Sequence, residues 1–291
     1  VPSVTGPIIP RRRLAAALRR LRESAGLSLT EVADELMISK SKLSRLENAQ
    51  GNPQARDVRD LIRLYRVDGT PEAGNLMRWA RSTTQTAWWS GYRYDDSGFA
   101  SDLKTHVEYE SEAVVARIYT IPFVPALLQT EAYARALYRS IEPWRSAEDI
   151  DQLVKLRLRR QEVLARRDRE PLRLEAVMHE CAVHQFVGSG RIVHEQLAAL
   201  LTLPEHVALR VLPFSAAPVF ASTCMWALLV FDEELDTVVH VETHAGFRFI
   251  QDRDQVCEYG SHFVQLWRRS LDEEESRSFI GDAMRAWLRG R

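Results

Sequence analysis

Two helix-start signals lie almost back to back in this chain, and nothing else in it constrains the fold as tightly. Ser28 followed by Glu31 makes a capping box, and Val32, Ala33 and Leu36 give the helix behind it one apolar face. After a very short turn through Ile38, Ser39 can cap a further helix running to about Asn48, with Leu43 and Leu46 as its buried positions. Helices separated by about three residues cannot lie antiparallel and must cross steeply, which is helix-turn-helix geometry. Ala33 is small where the crossing is closest. Ahead of this pair, Leu14, Ala17, Leu18 and Leu21 recur at helical spacing, and Gly26 falls where that helix should stop.

The outward residues of the second helix of the pair are Lys40, Ser41, Lys42, Ser44, Arg45 and Asn48. All are hydrogen-bonding groups and none is acidic, which suits the DNA major groove. Lys40, Ser41 and Arg45 are assigned to base edges; Lys42, Ser44 and Asn48 flank them toward phosphates. Ser28, Thr30 and Ser39, at the starts of the two helices, complete the candidate DNA-binding set. Charge agrees with the assignment. Residues 1–81 carry a surplus of +6, and residues 82–291 a balance of −7. A basic head on an acidic body places the polyanion at the head, although a solvated amphipathic helix would show the same polar face.

Residues 26–51, GLSLTEVADELMISKSKLSRLENAQG, closely resemble the XRE, or lambda-repressor-like, DNA-binding module. The resemblance implies an all-α five-helix head, with 56–65 and 71–81 supplying the last two helices, Thr70 as cap and Pro71 at the first helical position. It also implies that Glu47 and Gly51 mark the end of the recognition helix. Two positions depart from the family pattern. Leu29 stands where a phosphate-binding Gln is common, and Met37 where a turn glycine is common, which implies strain or a different turn.

At 291 residues, the chain fits two domains, and 45% hydrophobic with 27% charged residues excludes a disordered class. The polar stretch after Arg81 sets the boundary, giving a head of 1–81 and a C-terminal regulatory and dimerisation domain of 82–291. That domain reads as mixed α+β. Helical periodicity covers 103–117, 131–139 and 146–167, strand-like runs cover 172–178, 207–212, 225–231 and 238–243, and two helices close the chain at about 252–270 and 273–289. The longest apolar run, Cys224 to Phe231, is far short of a bilayer span, and three widely spaced cysteines give no disulfide framework. A soluble, cytoplasmic protein without membrane contact is expected.

The body is similar to the C-terminal domain of actinobacterial WhiJ-like or antitoxin-like regulators. The similarity rests on Trp88-Trp89, 109–113 (YESEA), 124–130 (VPALLQT), 133–137 (YARAL), 157–161 (RLRRQ), Gln196-Leu197 and 211–214 (VLPF). Ala126 replaces the glycine of the family's PGLLQT signature, and a left-handed backbone there would strain it. The family's genes often neighbour one for a small protein, and the resemblance implies a small acidic protein as partner.

Enzymatic chemistry finds little support. Gly188-Ser189-Gly190 lacks a third glycine, and His179 and His184 are five apart, which on a helix is the wrong spacing for one zinc ion. His240, Glu242 and His244 share one strand face and are the metal-ligand candidates, against the plainer reading of an exposed polar face with Glu242 in an ion pair. The arginines from Arg157 to Arg169 read as a solvated helix face. No catalytic residue and no cofactor is expected. The expected function is sequence-specific DNA-binding transcriptional regulation, with a homodimer on a palindromic operator and a body that senses a ligand or small protein. An antitoxin that neutralises a toxin and represses its own operon is the alternative. A metal-dependent hydrolase fused to a DNA-binding head is the rival class.

Overall fold

The computed structural model describes residues 7–83, 87–92, 98–216, 223–232, 235–243 and 246–288. These fall into two compact units, one drawn from Val1–Gly91 with Asp232–Leu235 and the other from Tyr92–Phe231 with Asp236–Arg291. Trp88 and Trp89 thus cluster with the first unit, past the expected boundary at residue 82.

The first unit is all-α. Its helices are α1 (Ile8–Ser24), α2 (Leu29–Glu35), α3 (Lys40–Glu47), α4 (Ala55–Leu64) and α5 (Pro71–Ser82). They enclose one core of Leu14, Leu18, Val32, Leu43, Leu61 and Leu76, all nearly inaccessible to solvent. The starts follow the expected chemistry. The Ser28 hydroxyl accepts from the Glu31 N–H while Glu31 accepts from the Ser28 N–H, Ser39 caps α3 and Thr70 caps α5.

The helix ends depart from it. A residue at positive φ follows each of the first four helices, yet only the first is glycine: Gly26, Met37, Ala49 and Arg66, at 70°, 50°, 55° and 55°. In each case the next N–H reaches back to the last turn, as in Leu27 to Arg22, Ile38 to Ala33, Gln50 to Arg45 and Val67 to Ile62. This is the Schellman pattern, which satisfies carbonyls the helix leaves open. The strain expected at Met37 is therefore present, at roughly 1–2 kcal/mol. Gly51 does not take the left-handed position after α3; Ala49 does.

The second unit is built on a six-stranded sheet of order β3-β2-β1-β4-β5-β6. The strands are β1 (Val115–Thr120), β2 (Arg173–His179), β3 (Val207–Leu212), β4 (Trp226–Val230), β5 (Val238–Thr243) and β6 (Gly246–Ile250). The half containing β1, β2 and β3 is parallel, and β4, β5 and β6 add to β1 antiparallel. Parallel neighbours need long crossovers. Helices α7 (Glu131–Ile141) and α8 (Ala147–Gln161) make the first, and α9 (Cys181–His184) and α10 (Gly190–Leu200) the second; α6 (Gly98–Glu112) precedes β1, and α11 (Arg253–Arg269) and α12 (Glu273–Leu288) close the chain.

Tyr119, Trp226, Val239 and Val241 on one sheet face pack with Phe263 and Leu266 of α11. The mixed α+β fold matches expectation, with several differences, among them that the helix expected over 146–167 ends at Gln161. The helix read over 103–117 stops at Glu112, and its last residues are β1. Strand β6 and helices α9 and α10 are additional. Ala126 lies in an ordinary 3-10 turn, Ala126–Leu128, and is not left-handed, so the strain expected there is absent.

Candidate nucleic-acid interface

Successive residues on a helix are rotated by about 100°, and this sorts the polar side chains of α3. Lys40, Ser41, Ser44, Arg45 and Asn48 fall within an arc of roughly 140° opposite the buried Leu43 and Leu46. Lys40, Ser41, Arg45 and Asn48 are exposed and Ser44 is half-buried. Among the described residues, Lys40 and Arg45 have no acidic partner, so both charges face outward uncompensated. Asn48 donates from its side-chain amide to the Ser44 carbonyl at 2.7 Å, which holds the C-terminal end of that face in one pose.

Lys42 does not belong to this arc. The same rotation puts it beside Leu46, and its ammonium bonds Asp57 of α4 at 2.8 Å. Its charge is offset within the protein, and it fastens α3 to α4. Ser28 and Ser39 are exposed but their hydroxyls serve as caps, and Thr30 is exposed in the first turn of α2.

One anchor of α3 escaped sequence reasoning. Arg22 of α1 grips Glu47 by two parallel hydrogen bonds, Nε to Oε1 at 2.8 Å and Nη2 to Oε2 at 2.9 Å, and donates from Nη1 to the Leu27 carbonyl. The side chains are only 12% and 4% exposed. Glu47 ends α3, so the pair fixes the helix on the core while its opposite face stays free.

The second unit holds a buried polar cluster. Arg160 of α8 meets Glu110 of α6 through Nε to Oε1 at 2.7 Å and Nη2 to Oε2 at 2.9 Å, and Nη2 lies 2.9 Å from His106 Nε2. His240 of β5 stacks beside His106 with ring centroids 4.1 Å apart and touches Phe247 at 4.7 Å. His240 is 2% exposed, which overturns the sequence reading of an exposed polar strand face. Glu242 is half-buried with no ion pair among the described residues, and His244 lies outside them. No group of three His, Cys, Asp or Glu among the described residues could hold a metal ion.

Burial, then the nearby His106 and Arg160 charges, hold the His240 ring well below its ordinary pKa, with Glu110 opposing. The folded state therefore keeps it neutral while the unfolded chain takes up a proton below about pH 6.5. Stability of the second unit should thus fall as pH drops from neutrality toward about 5.5. His240→Phe, which fits among Phe247 and Phe249, should flatten that fall in urea titrations at the two pH values. Equal slopes in both proteins would remove His240 from the effect.

The fold of the first unit is that of a helix-turn-helix domain. A helix-turn-helix domain model matches residues 13–73, and a model described as "Domain of unknown function (DUF5753)" matches residues 103–282. The second match covers more than half of the chain, and the protein belongs to the DUF5753 family. No curated protein and no solved structure matches the chain. The helix-turn-helix domain supports a DNA-binding regulator, and among the described residues no helix is long and apolar enough to cross a membrane.

Proposed function

We propose that the protein is a sequence-specific transcriptional regulator of the XRE, WhiJ-like type, in which α3 enters the major groove. Lys40, Ser41 and Arg45 address base edges, and Ser44, Asn48, Thr30 and the capped helix starts at Ser28 and Ser39 lie toward the backbone. The observation that carries this reading is the outward arc of α3, with two uncompensated cations and no acid, held from behind by Arg22 and Glu47. A single such helix touches few base pairs, so a homodimer on a two-fold operator, with half-sites about 34 Å apart, supplies the specificity. The second unit is the regulatory part in this reading, responding to a small molecule or a small partner protein. The antitoxin reading shares the same head and differs only in what the second unit binds.

Selection of the full chain against a pool of randomised duplexes tests the reading. One enriched sequence with two inverted half-sites is expected. Retention of the pool without enrichment would reduce the head to non-specific phosphate binding.

A further inference from the structure

Between α6, α7, α8 and the β5–β6 hairpin, the second unit encloses a cavity of about 130 Å³. Leu103, Leu153 and Phe247 form apolar wall, and Ile141, 43% exposed, lies where the cavity meets solvent. The charged lining is Arg145, Arg157, Arg160, Glu142 and Glu242. Two of the three arginines are answered by acids. Arg145 bonds Glu142, and Arg160 is gripped by Glu110 and also faces the charge of Glu242.

Arg157 differs. Its Nη1 donates to the Gln129 side-chain oxygen and its Nη2 to the Tyr138 hydroxyl at 2.6 Å, both neutral groups, with the Tyr138 ring 4.6 Å from the guanidinium carbon. Its Nε is buried without a hydrogen-bond partner, and among the described residues Arg157 has no carboxylate. The Gln129 acceptor is itself fixed: its amide nitrogen donates to the Val124 carbonyl at 2.7 Å. Arg157 is half-buried and oriented by neutral groups on the cavity wall, with no counter-ion bonded to it, whereas charge withdrawn from water is ordinarily paired. A carboxylate is the natural complement of the guanidinium fork. Glu142 and Glu242 on the same wall repel a second negative charge, which disfavours phosphates and dicarboxylates.

We propose that this cavity binds a small organic monocarboxylate, its carboxylate on Arg157 and its apolar body against Leu103, Leu153 and Phe247. The proposal deepens the reading of the second unit as the sensing part, and it rests on that reading.

Calorimetric titration of the full chain with hexanoate, octanoate and phenylacetate, each beside its primary amide, tests it. At least one carboxylate should bind saturably and its amide should not. Arg157→Gln should weaken that carboxylate about tenfold or more, and Arg157→Lys less. Ile141→Trp, which adds bulk on the cavity wall and replaces none of the groups bonded to Arg157, should weaken it as well and serves if Arg157→Gln does not fold. Absence of binding by all three carboxylates, equal binding of an amide, or unchanged affinity in both Arg157→Gln and Ile141→Trp would overturn the site. DNA affinity is read separately. A carboxylate that binds and leaves DNA affinity unaltered keeps the site and removes the sensor role; no carboxylate binding removes the site and leaves DNA recognition standing.

Discussion

Arg160→Met should cost the second unit about 3–5 kcal/mol, a large share of a typical domain's stability. Arg160 and Glu110 are 7% and 4% exposed, and their two parallel hydrogen bonds tie α8 to α6. Removing the guanidinium leaves the Glu110 carboxylate buried with only His106 beside it, 3.4 Å away. An unpaired buried charge costs far more than a broken surface pair. The pairing also has an acid signature. Burial raises the Glu110 pKa, but the charge and hydrogen bonds of Arg160 outweigh it and hold the carboxyl well below the usual range. The stability this contributes is present above the ordinary glutamate pKa and is lost as the pH falls below it. The double change Arg160→Met with Glu110→Leu should recover most of the loss, since an apolar pair replaces a charged one. Urea midpoints of the unaltered chain, the single variant and the double variant measure it. A single-variant loss under about 1 kcal/mol would mean that water reaches and screens the pair.

Glu47→Gln should have nearly as large an effect in the first unit, about 3 kcal/mol. The amide keeps the shape of the side chain and removes the closer of the two charges facing Arg22, leaving the exposed Glu23 at 3.5 Å and the Leu27 carbonyl on one guanidinium nitrogen. Because Glu47 ends α3, the loss should concentrate there, and amides of Leu43 and Leu46 should exchange faster than those of α4. DNA binding should fall although no DNA-facing side chain is altered. Arg22→Met with Glu47→Leu should restore much of the stability. Uniform exchange across the head would show that the pair supports the whole core rather than α3.

The head was legible because its signals are local. Ser28, Glu31, Ser39, Thr70 and Pro71 each act within one turn, and each is found where that chemistry places it. Helix ends were harder, since Met37, Ala49 and Arg66 adopt the left-handed conformation that normally advertises itself as glycine. Lys42 was grouped with the outward residues although the 100° rotation already turns it toward Leu46, and its partner Asp57 belongs to another helix.

In the body, β1 was absorbed into the preceding helix. It lies between β2 and β4, and its half-buried Val115, Arg117 and Ile118 beside buried Ala116, Tyr119 and Thr120 give no clean alternation to mark a strand. Arg160 and Glu110 are 50 residues apart, and Arg157 and Arg160 sat within what read as a solvated basic run. His240 was placed on the right strand and the wrong side of the solvent boundary. Nothing in an alternating strand tells which face is covered until the helices above it are known.

The most direct test of the account is the effect of Arg45→Ala on two DNAs, the duplex enriched by selection and a scrambled one of equal length, at one salt concentration. Arg45 is exposed on the outward arc of α3, and among the described residues it has no acidic partner. If it reads a guanine edge through two hydrogen bonds, the enriched duplex should lose about 1–3 kcal/mol of binding free energy and the scrambled one far less. An equal loss on both would make Arg45 a phosphate contact, and no loss on either would contradict the placement of α3 in the major groove.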